Sequence, residues 1–277
     1  MRRILLFFAL LAAVFVFFFG CQTAQSPIKK INPFTLMDSH ELYVYFPVKG
    51  NEQLAGRFMT QFFGALPEHT VNQIISRIHI LYGGFGPDSK PAELAVAGSF
   101  SRTVLKSAFT QKNGWAAVQK NVLRHETTDI EIYTGTPGLL FIARDVKTML
   151  ARQDSKLPPD VPQWMAETVS GSDIAFFLPQ ALTVLPDSLR LALAILPILN
   201  GASASGILKK NGQNEGYVLS LDVNIHNERL ASVAAPLLAK TISPLAIAEV
   251  TAGDGGHILI SGIHLDTETI TGLIRFE

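Results

Sequence analysis

Cys21 is the only thiol in the chain of 277 residues, and it stands directly behind an apolar run, Ile4 to Phe19, and one small residue, Gly20. Arg2 and Arg3 precede that run. A basic start, an apolar stretch and a small residue form an export signal, and a cysteine at the border offers its sulfur for lipid attachment. The other reading of Cys21 is an incidental thiol at the end of an uncleaved helix. Elsewhere, residues able to do chemistry are dispersed. The seven histidines form no His-Glu-x-x-His spacing, and His257 and His264, seven apart on one predicted strand, should lie on opposite faces. Gly201 to Gly206 lacks the lysine and hydroxyl of a phosphate loop, since Ile207 and Leu208 follow it. Gly83-Gly84-Phe85-Gly86 lacks the third glycine of a dinucleotide fingerprint and reads as a mobile turn. Ser203 and Ser205 have no flanking pair of glycines of the kind that frames a nucleophile. Asp129 and Glu131 share a strand face and read as a solvated edge.

Phe18-Phe19-Gly20-Cys21 resembles the lipobox of bacterial lipoproteins, and its aromatic residues are similar to the looser boxes of spirochaete lipoproteins. The resemblance implies a type II signal peptide over 1–20, cleavage before Cys21 and fatty acylation (such as palmitate) of that residue. The apolar run has 16 residues. That lies between the ~7 to 15 of a signal core and the ~17 to 25 of a spanning helix, so length leaves cleavage or retention as an anchor open. Composition agrees with export, because a chain without further cysteines builds no disulfides and no thiolate metal site. Lys and Arg number 23 against 23 Asp and Glu; without Arg2 and Arg3 the balance is about −2, which offers no basic footprint for nucleic acid.

The elements that must position any site follow from periodicity. Residues 21–37 carry Pro27 and Pro33 without apolar spacing and read as a lipidated tether, with order expected from Asp38. Pro158, Pro159 and Pro162 mark a linker over 154–169. It divides a first α+β module, 38–153, from a second, 170–277. In the first, strands are predicted at 41–48, 78–85, 93–100, 129–134 and 139–143, with helices after the first, third and last. In the second, strands are predicted at 173–178, 202–209 and 216–225, with a hairpin turning through Gly253 to Gly256 and helices at 181–199, from Asn227 and from Asp266. Asn211-Gly212 is the strongest short hairpin signal. Both halves read strand, helix, strand, strand, helix, strand, strand, helix. The fold class expected is α+β, as two tandem ferredoxin-like modules with antiparallel sheets and helices on one face. That layout is similar to bacterial lipoproteins built from duplicated modules of this kind.

One helix strains against a soluble body. Leu189 to Leu199 is apolar on nearly every side, with Arg190 its only charge. It is either sandwiched between the modules or lines an acyl pocket or lipid surface. Leu189, Leu193 and Leu196, with Phe58 and Phe62 on the matching helix of the first half, are the candidate contacts. The function expected is a non-enzymatic binding or scaffolding lipoprotein of the bacterial cell envelope, anchored to the outer or cytoplasmic membrane. A carrier or sensor of a hydrophobic ligand is the alternative, and a hydrolase with a dispersed site the third. Partners expected are the membrane through the anchor and a lipid or another envelope protein; neither cofactor, metal nor nucleic acid is expected. Cys21→Ala should abolish the acyl mass on the mature N-terminal peptide and move most of the protein to the aqueous phase of a detergent partition. An unchanged partition would show that the apolar run or the body holds the membrane by itself.

Overall fold

Tyr43 and Tyr45 project from one side of a strand, and Leu42, Val44 and Phe46 from the other. A strand apolar on both sides has to be covered on both, which places it inside a sheet between two layers. In the computed structural model this strand, β1 (Leu42–Pro47), sits sixth from one end of a continuous twelve-stranded sheet. The structure describes residues 32–62, 72, 75–86, 92–101, 105–106, 108–152, 161–162, 165, 173–181, 199–212, 216–243 and 247–273. For 58–62 and 271–273 it describes the backbone alone.

The other strands are β2 (Ile78–Phe85), β3 (Glu93–Gly98), β4 (Trp115–Gln119), β5 (Val122–His125), β6 (Glu131–Thr136), β7 (Leu139–Ala143), β8 (Ile174–Leu178), β9 (Ser203–Asn211), β10 (Gly216–Asn224), β11 (Glu249–Ala252) and β12 (His257–Asp266). They run in the order β11-β12-β10-β9-β8-β1-β2-β3-β7-β6-β5-β4, and each described pairing is antiparallel. Outward from the centre the first half reads 1-2-3-7-6 and the second 8-9-10-12-11, the same neighbour order twice. The halves join where β1 meets β8, with Tyr43 opposite Phe177, Val44 opposite Phe176 and Tyr45 opposite Ala175. Two equivalent strands paired antiparallel are related by a local two-fold axis normal to the sheet.

This order corrects the expectation of two tandem ferredoxin-like modules. In that fold the strand after the first helix runs parallel to the first strand with a gap between them, and the third strand fills that gap antiparallel to both. Here β2 lies directly against β1 and antiparallel to it. The repeat of element types was legible, but neighbour choice rests on pairing between distant segments that local periodicity does not carry. The hairpin of β4 and β5, which extends the first half, was not expected either. Its strands are short and lie at the sheet's end, β4 exposed over its last three residues, and its turn carries Asn121 at φ 63°.

Helices α1 (Glu52–Phe62), α3 (Glu228–Ile242) and α4 (Thr267–Leu273) pack on one face, above cores that include Phe46, Leu81, Val96, Leu208, Val223 and Ile258. Helix α2 (Val146–Ala151) packs on the other. That second face is covered, among the described residues, over the first half and the adjoining β8, by a 3-10 turn at Pro33–Leu36, α2, Val161 and Met165 over Tyr43, Tyr82, Ala95, Phe141, Ala175 and Phe177. The tether expected over 21–37 is therefore part of the body at its end: Phe34 is fully buried, and Leu36 and Met37 nearly so. Asn32 caps the turn by accepting from the Phe34 N–H, and Pro33 suits its first position. Val161 and Met165 likewise dock part of the proline-rich segment on this face.

The two halves also share a buried polar contact. Tyr217 on β10 donates to Asn51 Oδ1 at 2.8 Å, while Asn51 Nδ2 donates to the Pro47 carbonyl at 2.9 Å. Removing the hydroxyl takes away one buried hydrogen bond, so Tyr217→Phe should lower unfolding free energy in urea by about 1 kcal/mol. A change within a few tenths would mean that the contact does not join the halves.

Candidate functional site

Cys21 and Leu189, Leu193 and Leu196 lie outside the described residues. Phe58 and Phe62 fall on α1, as their spacing predicted, with their side chains outside the description. What the structure does bring together is a cluster at the root of the tether and an apolar stripe on α3.

Glu93 opens β3 on the second face, opposite Gly84 of β2. The Glu93 carboxylate accepts from the Asp38 N–H at 2.7 Å, lies 3.0 Å from His40 Nε2, and accepts from Arg152 Nη1 at 2.7 Å. Arg152, just past α2, also donates to the Leu36 carbonyl at 3.1 Å. Tyr43 closes the ring: its hydroxyl accepts from the His40 N–H at 2.8 Å and donates to the Asp38 carbonyl at 2.9 Å. Burial alone would raise the Glu93 carboxyl, but His40, Arg152 and the Asp38 N–H outweigh it and hold the group below the ordinary glutamate value of 4.5. His40 Nδ1 is buried and finds no partner among the described residues. The ring sits where a Cβ on Gly84 would collide with it, so the supposed mobile turn at Gly83-Gly84 is central strand thinned to admit an imidazole. A glycine inside a predicted strand is the signal that marked this close approach.

Beside it the aromatic rings of Phe34, Tyr43, Tyr45 and Tyr82 pack edge to face. Burial, with Tyr45 adding to it, pushes the Tyr82 phenol up to about 12. The cluster thus clamps residues 34–40 with an apolar half and a charged half, and three converging partners occupy most of the acceptor sites of one carboxylate.

On α3, Ala231, Ala234, Ala235 and Leu238 face the sheet. Leu230, Val233 and Leu237 form a second apolar stripe that faces solvent, with exposures of 39%, 52% and 43%. Spacings of three and four put them on one side of the helix. Arg229 and Lys240 are exposed near its ends, and Ile247 beyond it is 92% exposed. Asn227 starts the helix by accepting from the Leu230 N–H, as its position predicted.

Other chemistry-bearing residues are placed as follows. Glu131 is buried, not a solvated edge: it accepts from Arg124 Nε at 3.1 Å and from the Val146 N–H at 3.2 Å, while Asp129 is exposed. His257 and His264 share the second face after all, because a bulge opposite Ser220, with Gly262 at φ 83°, flips the alternation of β12. Seven residues of strand still hold them ~23 Å apart. His257 Nδ1 lies 2.7 Å from Asp222 Oδ1, and the register places Ser205 on the far side of Asp222. With the acid between them, base and hydroxyl are two strands apart, ~10 Å, beyond proton-transfer reach. No group of three His, Cys, Asp or Glu side chains is placed to hold a metal ion among the described residues, and no described helix is long and apolar enough to cross a membrane.

Glu93 gives the clamp a pH dependence of fixed sign. Its folded pKa is depressed, so the stability from its ionisation is complete above 4.5 and is lost as pH falls through the lower folded value. Amide exchange at residues 34–40, corrected for intrinsic rates, should accelerate below pH 4.5 in the native protein and show no such step in Glu93→Gln. A flat profile in the native protein would contradict the clamp.

Comparison with known proteins bears on what this body does. The family model described as outer membrane-associated lipoprotein TP0453 matches residues 28–271. The outer membrane protein TP0453 of Treponema pallidum (strain Nichols) is 27% identical over 128 residues, which is 44% of each chain, so the alignment spans less than half the length of that relative. The solved structure of TP0453 in crystal form I superposes with a TM-score of 0.65 at 17% identity, covering 88% of this chain and 96% of that one. Crystal form III gives 0.64 at 18% identity, over 88% and 97%. At such identity these two likenesses show the shared α+β fold. The family model covers most of the chain, and the protein belongs to the outer membrane-associated lipoprotein TP0453 family.

Proposed function

We propose that the protein is acylated at Cys21, is held in the outer membrane by that lipid, and serves there without catalysis as a binding or scaffolding lipoprotein whose body makes a second contact with the bilayer through α3. The observation that carries this reading is the outward stripe of Leu230, Val233 and Leu237 on a helix whose other side is already satisfied by the sheet. A helix with apolar residues on the solvent side needs a partner other than water, and a chain tethered by lipid always has a bilayer within reach. Arg229 and Lys240 are placed to meet headgroups while the stripe meets acyl chains. The names of the family and of its Treponema pallidum relative both place those proteins at the outer membrane, which supports that membrane over the cytoplasmic one.

The alternative, a carrier of a hydrophobic ligand using Leu189, Leu193, Leu196, Phe58 and Phe62, draws support from the two ends of the apolar segment. Ala181 and Leu199 are buried in the same core as the inner side of α3. That would bring an acyl pocket and the membrane-facing helix next to each other.

Each exposed side chain that enters a bilayer contributes about 1.5–3 kcal/mol. In a Cys21→Ala background, Val233→Glu with Leu237→Glu should therefore weaken flotation with vesicles at least tenfold and leave thermal stability unchanged, since both positions are exposed. Undiminished flotation would remove α3 from the account.

A further inference from the structure

The outward side of α3 carries charge as well as its apolar stripe. At ~100° per residue, Arg229, Val233 and Lys240 fall within ~40° of one another. Arg229 and Lys240 stand ~170° from the direction in which Ala231, Ala234, Ala235 and Leu238 meet the sheet, so they are the residues of the helix that project furthest from the body. They lie ~16.5 Å apart along the axis, with Val233 between them. Leu230 and Leu237 flank Val233 on one side, and the exposed Ser232 and Pro236 lie on the other. The helix's one carboxylate, Glu228, is ~100° round from Arg229, and from Arg229 to Ser243 the sequence has no Asp or Glu. Both cations are exposed, and neither makes an ion pair among the described residues. Arg124, Arg152 and Lys210, by contrast, are taken up within the body by Glu131, Glu93 and the Gly50 carbonyl.

We propose that this side of α3 is selective for bilayers rich in anionic phospholipid, with Arg229 and Lys240 each meeting the phosphate of a net-negative headgroup while Leu230, Val233 and Leu237 enter the acyl boundary. This rests on the α3 contact proposed above and names the lipid which that contact takes. The free charge decides between lipid classes. A zwitterionic headgroup carries its own cation beside the phosphate, so an unpaired Arg or Lys gains little from it. A net-negative headgroup leaves the phosphate uncompensated, and the negative surface potential draws cations in. Near such a surface each cation contributes about fivefold in affinity, and the pair ~30-fold. The stripe supplies the apolar part of the contact, which does not distinguish one headgroup from another. Long aliphatic stems let both charges rise to headgroup level while Val233, between them, goes deeper. An acidic protein surface would offer the same charge, but the apolar side chains beside the cations match an acyl boundary, and the family is outer membrane-associated.

The test measures vesicle binding of the full-length protein in the Cys21→Ala background, on phosphatidylcholine alone and on phosphatidylcholine mixed with phosphatidylglycerol. With α3 unaltered, the mixed vesicles should be bound at least tenfold more tightly. That preference should vanish in 1 M salt, where the screening length falls to ~3 Å. Arg229→Gln with Lys240→Gln should abolish it as well, keep binding to phosphatidylcholine within about twofold, and leave thermal stability unchanged, since both side chains are exposed and glutamine suits a helix. Equal affinity for the two vesicle types with α3 unaltered would overturn the selectivity. So would a double variant that keeps the preference, because other cations would then supply it. Failure of the α3 contact itself has a separate signature: Val233→Ser with Leu237→Ser would bind both vesicle types as tightly as the unaltered helix. A protein that floats with neither vesicle, as it would if the stripe's partner were another protein, removes the contact and the selectivity together.

Discussion

β1 is apolar on both sides, and much of the molecule follows from the need to cover it. Tyr43 and Tyr45 require a layer on one face, Val44 and Phe46 on the other, and the strand's two edges require partners for their backbone groups. The edges are met by β2 and β8, which makes the seam between the halves the middle of the sheet. The faces are met by different means. One is roofed by helices; the other recruits the end of the tether, α2, and two residues of the proline-rich segment. Segments that read as connections are thus pressed into service as core.

The same requirement is absent further out in the second half, and there the two faces diverge. The first keeps its helix α3, while the second presents Ser203, Ser205, Asp222, Asn224 and His257 with no described element above them. A polar sheet face tolerates water; an apolar stripe on the outside of α3 does not gain from it. Ile207 and Leu259 are exposed singly among the polar residues of that sheet face, whereas Leu230, Val233 and Leu237 stand together on one side of a single helix, and this grouping separates a candidate contact surface from the rest of the fold. The neighbour order repeated across the seam, 1-2-3-7-6 and 8-9-10-12-11, shows that the two halves share a plan, while the described cover of the second face extends over the first half and β8.

Much of this was legible before any coordinates. Period-two runs located β2 and β7 to the residue and β1, β3, β8, β9 and β10 to within a few, and Asn227 was read as the start of a helix. Three kinds of information were not local enough to read. Which strands are neighbours depends on pairing between distant segments, and the ferredoxin-like order failed there. Parity along a strand fails at a bulge, so Gly262 brought His264 to the face of His257. Burial of charge is not written in a residue's type: Glu131 and Glu93 look like surface carboxylates until Arg124, Arg152 and His40 are seen around them. The outward stripe of α3 was visible as Leu230, Val233 and Leu237. Periodicity identifies an apolar helix without saying which side meets the sheet, so it does not separate them from the residues that pack inward.

The account's central claim is that the body meets a bilayer through the outer side of α3, and side-chain oxidation by hydroxyl radicals on membrane-bound protein reads it most directly. Relative to the protein free in solution, Leu230, Val233 and Leu237 should be shielded on vesicles while Val118 and Ile207, equally exposed elsewhere on the sheet, react as before. Equal oxidation of the α3 side chains in both states would contradict it.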